Sequence, residues 1–413
     1  MRLPALMIFL SYFILILTDI LIIYDLKEMS LYDKYPADSK RRQVWWKIYS
    51  VFAALILILL TVSICLPYRS PDAGITANMW LVFIVLVVIL CQIVYSIFSL
   101  VGFIPALIGG IRWNTGLWVG LPMAVLIFTM MWWGACVGRN KIHVERIEVS
   151  SAKLPASFNG YKIAQISDLH VGTWGEDTTF VAKLVDSVNN LHPNLIVFTG
   201  DLVNREAYEA KPFIGILSRL KAPDGVYSIL GNHDYGDYLS WNSDKAKVAN
   251  MDSLKMYQKE MGWKLLNNRH TSINNSSGES IDLIGVGNWG LPPFSQYGDL
   301  EKAYPKESFK NDKFKILLSH DPDHWTSEVN KKTNIDLTLS GHTHAMQVMF
   351  NLGNKKWSPA KFRYKNWGGL YENESEDGNK TTLYVNLGAG EVGMPMRIGA
   401  TPEVTLITLL QDQ

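Results

Sequence analysis

Four long apolar stretches constrain this 413-residue chain more than any other feature. They cover residues 4–24, 48–66, 80–108 and 115–138. Each is long enough to cross a bilayer, where only a helix satisfies the backbone amides of a single stretch. The first has no small-residue cleavage site, so we expect it to be a retained span and not a signal peptide. The sequence therefore predicts an integral, multi-pass protein with a transmembrane region of four helices over residues 1–139.

The basic residues of the loops indicate the orientation of these spans. Seven Lys and Arg side chains fall on one side of the membrane and six on the other. The cluster of Lys40, Arg41 and Arg42 between the first two spans favours a cytoplasmic loop there. We therefore predict an extracytoplasmic C-terminal domain. Asp19 lies near the end of the first apolar stretch, so we expect it to reach the membrane interface.

The chain after residue 139 has a different composition, with 29 basic groups, 32 acidic groups and all nine histidines. Its near-neutral balance argues against a nucleic-acid-binding face, which needs clustered Lys and Arg. The three cysteines, Cys65, Cys91 and Cys136, precede this region, so no disulfide framework stabilises it. No sequence feature leads us to predict a protein partner, whereas membrane lipid is an expected partner of the apolar spans.

Short β-branched runs alternate with helical patterns in this second part, which we predict to be one domain over residues 140–413. The predicted strands are residues 162–166, 195–199, 226–230, 281–286, 315–318, 336–339, 383–386 and 404–409. Helical periodicity covers residues 179–190 and 209–220. The alternation predicts an α/β fold whose sheet is mainly parallel at its start. In such sheets ligands bind beyond the carboxyl ends of the strands.

Polar residues follow five of these strands. Seven of them form a set of oxygen and nitrogen donors without a thiolate: Asp168, His170, Asp201, Asn232, His320, His342 and His344. Any one of these short polar segments, taken alone, is typical of a turn. Seven donors are too many for one tetrahedral ion and enough for two ions about 3.5–4 Å apart. The set therefore predicts two metal ions, with manganese, iron, zinc and cobalt all compatible.

The remaining charged candidates are less specific. His143, His192, His270 and His324 follow no strand in a donor-rich block, so we interpret them as surface or structural residues. Arg205 and Arg397 are candidates to bind a phosphate oxygen, although each alone is more typical of a surface position.

The blocks D-L-H, G-D-L-V-N, G-N-H-D, S-H-D and G-H-T-H, in this order, resemble the calcineurin-like metallophosphoesterase superfamily over about residues 161–409. The segment 388–410 is similar to the ending of its bacterial membrane-anchored branch. The resemblance implies a four-layer α/β sandwich of two mixed β-sheets flanked by helices. It also implies two metal sites that share Asp201. Their ligands would be Asp168, His170, Asp201 and His344 for one ion, and Asp201, Asn232, His320 and His342 for the other.

The same resemblance implies catalytic roles for His233 and Asp234. His233 would act near the leaving oxygen, and Asp234 would orient His233. The implied reaction is attack by a metal-bridging hydroxide on a phosphomonoester, phosphodiester or pyrophosphate. Two alternatives remain open: a lipid-linked pyrophosphatase of the UDP-diacylglucosamine hydrolase type, and a metal-binding receptor or scaffold without turnover.

Aromatic residues of the second part are compatible with a lipid headgroup as substrate. Two groups follow the predicted strands and metal blocks: Trp289, Phe294 and Tyr297, and Trp357, Trp367 and Tyr371. Beside a membrane they could enter lipid and admit a headgroup, or they could cover the protein core.

Overall fold

A computed structural model describes residues 5–28, 40–66, 74–292, 294–305, 312–353, 355–374 and 380–412. They belong to two compact units. The first lies within Met1–Tyr68 and Ala77–Gly134, and the second within Arg69–Thr76 and Ala135–Gln413. The domain limits 1–139 and 140–413 remain our prediction.

The first unit is helical. It contains α1 (Ala5–Glu28), α2 (Lys40–Cys65), α3 (Ile75–Val101), α4 (Ile104–Leu107) and α5 (Leu121–Cys136), with a π-helical turn at Gly116–Gly120. Four segments are long and apolar enough to span a membrane: Leu6–Glu28, Gln43–Cys65, Ile75–Leu107 and Gly116–Asn140. The four predicted spans are thus confirmed, and the protein is a multi-pass membrane protein. Two spans start a few residues before the apolar stretch, because polar side chains at a helix end can reach the interface.

The interfacial position expected for Asp19 is wrong. Its side chain is buried among the helices, where its carboxylate accepts hydrogen bonds from Tyr49 Oη at 2.7 Å and Gln92 Nε2 at 2.9 Å. Neighbouring helices therefore supply the polar partners that lipid lacks.

The second unit contains fourteen strands and four helices among its described residues. The strands are β1 (His143–Ser151), β2 (Tyr161–Ile166), β3 (Leu195–Phe198), β4 (Val226–Ser228), β5 (Lys264–Leu265), β6 (Arg269–Asn274), β7 (Ser280–Gly285), β8 (Lys315–Leu318), β9 (Leu337–Ser340), β10 (Phe350–Leu352), β11 (Lys355–Trp357), β12 (Gly369–Glu374), β13 (Lys380–Val385) and β14 (Glu403–Gln411). The helices are α6 (Thr179–Asn189), α7 (Ile214–Leu217), α8 (Asp244–Glu260) and α9 (Leu300–Ala303).

Two six-stranded mixed sheets form the centre of this unit, in the orders β1-β14-β2-β3-β4-β5 and β12-β13-β9-β8-β7-β6. Strands β2 to β5 are parallel in the first sheet, and β7, β8, β9 and β13 are parallel in the second. Strands β10 and β11 form a separate antiparallel hairpin.

Three hydrophobic clusters pack the layers together. Ile163 and Val197 of the first sheet share a buried cluster with Ile316 and Leu339 of the second. On the outer faces, Leu184 of α6 packs in the first-sheet cluster, and a further cluster joins α9 to the second sheet. The unit is therefore the predicted four-layer α/β sandwich of two mixed sheets flanked by helices.

Not every predicted element has the expected form. The helix expected over 209–220 is instead a 3-10 helix at Ala207–Phe213 followed by the short α7. Pro212 lies inside this segment and has no backbone N–H, which explains the missing α-helical continuity. The helix expected over 179–190 is confirmed as α6. The sequence did not predict six of the strands, β1, β5, β6, β10, β11 and β12, or the helices α8 and α9.

Candidate metal centre

The seven predicted donors all lie just beyond the carboxyl ends of five strands. Asp168 and His170 follow β2, Asp201 follows β3, Asn232 follows β4, His320 follows β8, and His342 and His344 follow β9. Six of them form two groups whose donor atoms lie within 4.8 Å of one another: Asp168, His170 and His344, and Asp201, His320 and His342. Each group could hold a metal ion. Parallel strands explain the convergence, because their carboxyl ends share one edge of a sheet.

In the first group, imidazole nitrogens face one another and a carboxylate. His170 Nε2 lies 3.1 Å from His344 Nε2, and His344 Nε2 lies 3.2 Å from Asp168 Oδ1. All three side chains are buried. Two ring nitrogens at this distance compete for one proton, and a cation that replaced this proton would be bound by both lone pairs.

The second group is arranged around Asp201. Its Oδ2 lies 3.2 Å from His320 Nε2 and 3.6 Å from His170 Nε2, which belongs to the first group. His342 Nδ1 lies 3.3 Å from His320 Nε2. One oxygen of Asp201 therefore faces both groups, as a bridging ligand would.

Asn232 adds a further donor atom. Its Nδ2 donates to Tyr238 Oη at 2.7 Å. Its Oδ1 is buried but accepts no hydrogen bond from the described residues. An orphaned amide oxygen in a buried position is costly, and a cation would satisfy it. The donor set and this orphan oxygen both fit a dinuclear metal site.

Local electrostatics at the histidines also favour cations. Burial lowers the pKa of His320, but the carboxylates of Asp201 and Asp168 outweigh burial and raise it to about 10. Burial and neighbouring His320 lower the pKa of His342 to about 3. Thus the carboxylates stabilise positive charge here, while His342 is neutral and has a free lone pair.

The backbone at these positions is unusual. Five of the seven donors have positive φ: Asp168 (52°), His170 (43°), Asp201 (60°), His342 (72°) and His344 (50°). Non-glycine residues rarely adopt this left-handed region, and such strain clusters at functional sites. The sharp turns at these positions follow closely after the strand ends, where the donor atoms of neighbouring loops approach one another.

Backbone N–H groups hold these turns to one another. The Asp168 carboxylate accepts from His342 N at 3.0–3.1 Å, and Asp201 Oδ1 accepts from His233 N at 2.8 Å. A Cβ at Gly231 would overlap the Asp201 carboxylate, so this approach requires glycine. The loops after β2, β3, β4 and β9 are therefore mutually fixed.

The expected orientation of His233 by Asp234 is not what the structure contains. The buried Asp234 carboxylate instead accepts four backbone N–H bonds of 2.9–3.2 Å, from Asp201, Leu202, Val203 and Gly231. His233 Nδ1 lies 2.6 Å from the Asn204 carbonyl oxygen, and its ring stacks on Tyr238. Asp234 thus fixes the two loops, and Asn204 orients His233. The orienting role of Asn204 was not predicted from the sequence, although this residue ends the G-D-L-V-N block.

Neither candidate arginine lies on the surface, as a lone arginine usually would. Arg397 is fully buried and donates to the carbonyl oxygens of Leu387, Gly390 and Ala400, and its Nη2 lies 3.0 Å from His344 Nδ1. A guanidinium has donors only, so Arg397 is committed to the loop and to His344 and not to a phosphate. Arg205 is also buried and pairs with Glu209 at 3.3 Å.

A second buried ion pair joins Arg139 to Glu391, which lies in the same loop as Arg397. Glu391 is fully buried, and its Oε2 lies 2.9 Å from Arg139 Nη2. Arg139 also packs over the ring of Trp174. Burial raises the pKa of Glu391 to about 7, although Arg139 opposes the shift.

Aromatic side chains surround the second group. Tyr364 Oη lies 3.0 Å from His342 Nε2, and Phe294 packs edge-to-face on His342 with ring centroids 4.8 Å apart. Sequence reasoning included Phe294 among the aromatic loop residues but missed Tyr238 and Tyr364. No local signal marks these tyrosines, because their contacts depend on long-range packing.

The four remaining histidines have other environments, in agreement with a surface or structural interpretation. His143 pairs with Glu145, His192 is exposed, and His270 Nδ1 contacts the Ala303 carbonyl oxygen. His324 is buried, 2.8 Å from Ser319 Oγ, and stacks on Trp289.

Two protein families match the two parts of the chain. Residues 161–346 match the family described as calcineurin-like phosphoesterase. Residues 1–139 match the family described as probable calcineurin-like phosphoesterase, transmembrane domain.

Similar proteins occur in bacteria and animals. An uncharacterized metallophosphoesterase of Bacillus subtilis, YkuE, is 30% identical over 265 residues, covering 63% of this chain and 83% of that protein. A bovine transmembrane protein with metallophosphoesterase domain is 32% identical over 275 residues, covering 64% of this chain and 56% of the bovine protein. The match thus spans only a little over half of the bovine protein. The UDP-2,3-diacylglucosamine pyrophosphatase LpxG of Chlamydia muridarum is 26% identical over 339 residues, covering 71% of this chain and 97% of LpxG.

The contacts of Asp234 give a testable prediction for Asp234→Asn. The new amide group would oppose backbone donors, and each lost hydrogen bond costs about 1–3 kcal/mol. We expect a lower melting temperature and a lower metal content, measured by fluorescence and by elemental analysis of the purified full chain. The control is Asp252→Asn, at an exposed position of α8. Unchanged metal content with only a slower reaction would instead support an orienting role for His233.

Proposed function

This chain belongs to the calcineurin-like metallophosphoesterases, and we propose that its second unit hydrolyses a phosphoester with two metal ions at the strand ends. The family makes it a metal-dependent phosphoric ester hydrolase rather than a scaffold without turnover. Phosphomonoesters, phosphodiesters and pyrophosphates are all candidate substrates.

The proposed ligands divide into two sets that share Asp201. One set is Asp168, His170, Asp201 and His344, and the other is Asp201, Asn232, His320 and His342. The observation that carries this proposal is the approach of two groups of donors, Asp168 with His170 and His344, and Asp201 with His320 and His342, whose donor atoms lie within 4.8 Å of one another in each group. The buried Asn232 Oδ1, which accepts no hydrogen bond from the described residues, supports its place as a further ligand. The Asp201 oxygen that faces both histidine groups supports the shared position.

Two bound ions would acidify a water molecule and withdraw electron density from the phosphoryl oxygens. The protein residues would supply orientation. Buried Asp168 and Asp201 are each fixed by a backbone N–H of another loop, so the donors need little rearrangement before reaction. Manganese, iron, zinc and cobalt remain compatible with this donor set.

His233 is the proposed catalytic residue outside the ligand sets. Its Nδ1 donates to the Asn204 carbonyl oxygen, which leaves Nε2 for the substrate. A protonated Nε2 would donate to the leaving oxygen as its bond to phosphorus breaks. Stacking on Tyr238 limits rotation of the ring, so this proton is held in one direction.

A lipid-linked pyrophosphate is the second candidate substrate. One relative, LpxG, is named as a UDP-2,3-diacylglucosamine pyrophosphatase, and the match covers nearly all of that protein. Because the present chain spans a membrane, a substrate held in lipid would be within reach.

The extracytoplasmic location of the second unit is also a proposal. The Lys40, Arg41 and Arg42 cluster in the sequence supports it through the positive-inside rule. An alkaline phosphatase fused to the C-terminus should be active after expression in a bacterium, and an inactive but intact fusion would contradict this orientation.

Asp201→Asn tests the metal centre. Purified parent protein should contain about two ions per chain. The variant should contain fewer metal ions. Its rate on phosphomonoesters, phosphodiesters and pyrophosphates should fall by more than about 100-fold, which exceeds the usual effect of changing a residue that only hydrogen-bonds to a metal ligand. Asp252→Asn is again the matched control and should match the parent in both measurements. Full activity in Asp201→Asn would overturn the scheme.

His233→Asn tests the proton donor. We expect kcat to fall by about 10²–10⁴ with metal content unchanged. The loss should be small for a nitrophenyl leaving group and large for an alkyl leaving group, because only the alkoxide needs a proton. His192→Asn is the control, since His192 is exposed and has a left-handed backbone that Asn tolerates. An equal loss for both leaving groups would argue against proton donation.

A matched substrate pair tests the lipid-linked alternative. A nucleotide diphosphate sugar with two long acyl chains is compared with the same compound without acyl chains, in full-length protein in detergent. A lipid-linked pyrophosphatase should show kcat/KM at least about 100-fold higher for the acylated compound, because remote binding energy contributes to the transition state. Equal kcat/KM values for the two compounds would favour a water-soluble phosphoester as the substrate.

A further inference from the structure

One segment of the second unit has a distinct composition. Residues 346–367 contain five basic side chains, at 355, 356, 361, 363 and 365, and no acidic residue. They also contain five aromatic residues, at 350, 357, 362, 364 and 367. The rest of the unit is slightly acidic, so this concentration of positive charge and aromatic surface is local.

The structure brings part of this segment to the surface. Strands β10 and β11 form a hairpin, followed by a 3-10 helix at Pro359–Phe362. Phe362 is 80% exposed and Leu352 is 63% exposed. We call this set the Trp357 patch. Its exposed members are Leu352, Lys355, Lys356, Lys361 and Phe362, and its half-buried members are Phe350 and Trp357.

Aromatic and basic side chains are in contact within the patch. The Trp357 ring lies 6.0 Å from Phe350 and 6.4 Å from Phe362, measured between centroids. Lys361 Nζ lies 5.5 Å from the centroid of Trp357 and 5.3 Å from that of Phe362. Such a combination matches a membrane interface, where aromatic rings enter the headgroup region and lysines meet anionic lipid.

Two buried residues attach this segment to the candidate metal centre. Ser358 Oγ donates to the Ala345 carbonyl oxygen at 2.6 Å, next to His344. Tyr364 Oη lies 3.0 Å from His342 Nε2. The exposed residues between Ser358 and Tyr364 are therefore fixed beside the two histidines that follow β9.

We propose that the Trp357 patch docks on the anionic lipid surface of a membrane. Charge complementarity favours anionic lipid as the occupant. Among the described residues, Lys356 lies 4.0 Å from Glu145, and no acidic side chain pairs with Lys355 or Lys361. Each basic residue near an anionic surface adds attraction, and the exposed Phe362 and Leu352 add apolar contact. The chain itself spans a bilayer, so the second unit is covalently tethered to a lipid surface. This inference does not depend on the proposed catalysis.

The experiment uses the full chain in lipid nanodiscs. Cys65, Cys91 and Cys136 are replaced by Ser, and an environment-sensitive fluorophore is attached at Phe362→Cys. Discs contain either phosphatidylcholine alone or phosphatidylcholine with about one-third phosphatidylglycerol. We expect quenching by acrylamide to fall at least about twofold in the anionic discs. A fluorophore at Tyr208→Cys is the matched control, because Tyr208 is 66% exposed and also lies beside a lysine, Lys211.

Charge reversal at two exposed lysines completes the test. Lys355→Glu with Lys361→Glu should restore quenching at position 362 in anionic discs, while the melting temperature stays within about a degree or two of the parent. Equal quenching at position 362 in both lipids would overturn the proposal, and so would protection that survives charge reversal. Protection in detergent that rises with protein concentration would also overturn it, because the occupant would then be a second copy of the chain.

Discussion

The candidate metal centre depends on buried carboxylates that are each tied to another loop by backbone N–H groups. Asp168 is bonded to the turn after β9, Asp201 to the turn after β4, and Asp234 to both the β3 and β4 turns. These bonds compensate for the left-handed backbone at the donor positions, because a strained conformation persists only when its surroundings determine it.

The approach of six predicted donors follows from local sequence patterns, whereas the residues that support them do not. Donor-rich blocks directly after apolar strands are local patterns, and parallel strands bring their carboxyl ends to one edge, so Asp168, Asp201 and His320 were predictable. The roles of Asn204 and Arg397 depend on approaches between residues far apart in the chain. Hydrophobic periodicity does not predict contacts between distant residues. For this reason Asp234 was expected to orient His233, and Arg397 was expected at the surface. Similarly, Pro212 broke an apparent helical period that apolar spacing alone suggested.

Both units follow the same rule for polar groups inside an apolar environment. Asp19 obtains Tyr49 and Gln92 as partners from two other helices, and Glu209 obtains Arg205 and two backbone N–H groups. In each case the partner residue lies on another turn or helix, so the polar contact also fixes the packing. Asn232 Oδ1 is one of several buried acceptors without a hydrogen bond from the described residues, and it belongs to the proposed ligand set, where a cation would satisfy it.

The pairing of Arg139 with Glu391 affects where the chain can be cut. Arg139 lies three residues after the helix that ends at Cys136, and it belongs to the second unit, where its guanidinium pairs with the buried Glu391 carboxylate. A soluble fragment that starts at residue 140 would leave Glu391 buried without this counter-charge, and loss of one partner of a buried ion pair costs about 3–5 kcal/mol. Glu391 lies in the loop that contains Arg397, so such truncation would weaken the support of His344 as well. A fragment that retains a few residues before Arg139 would keep the loop intact.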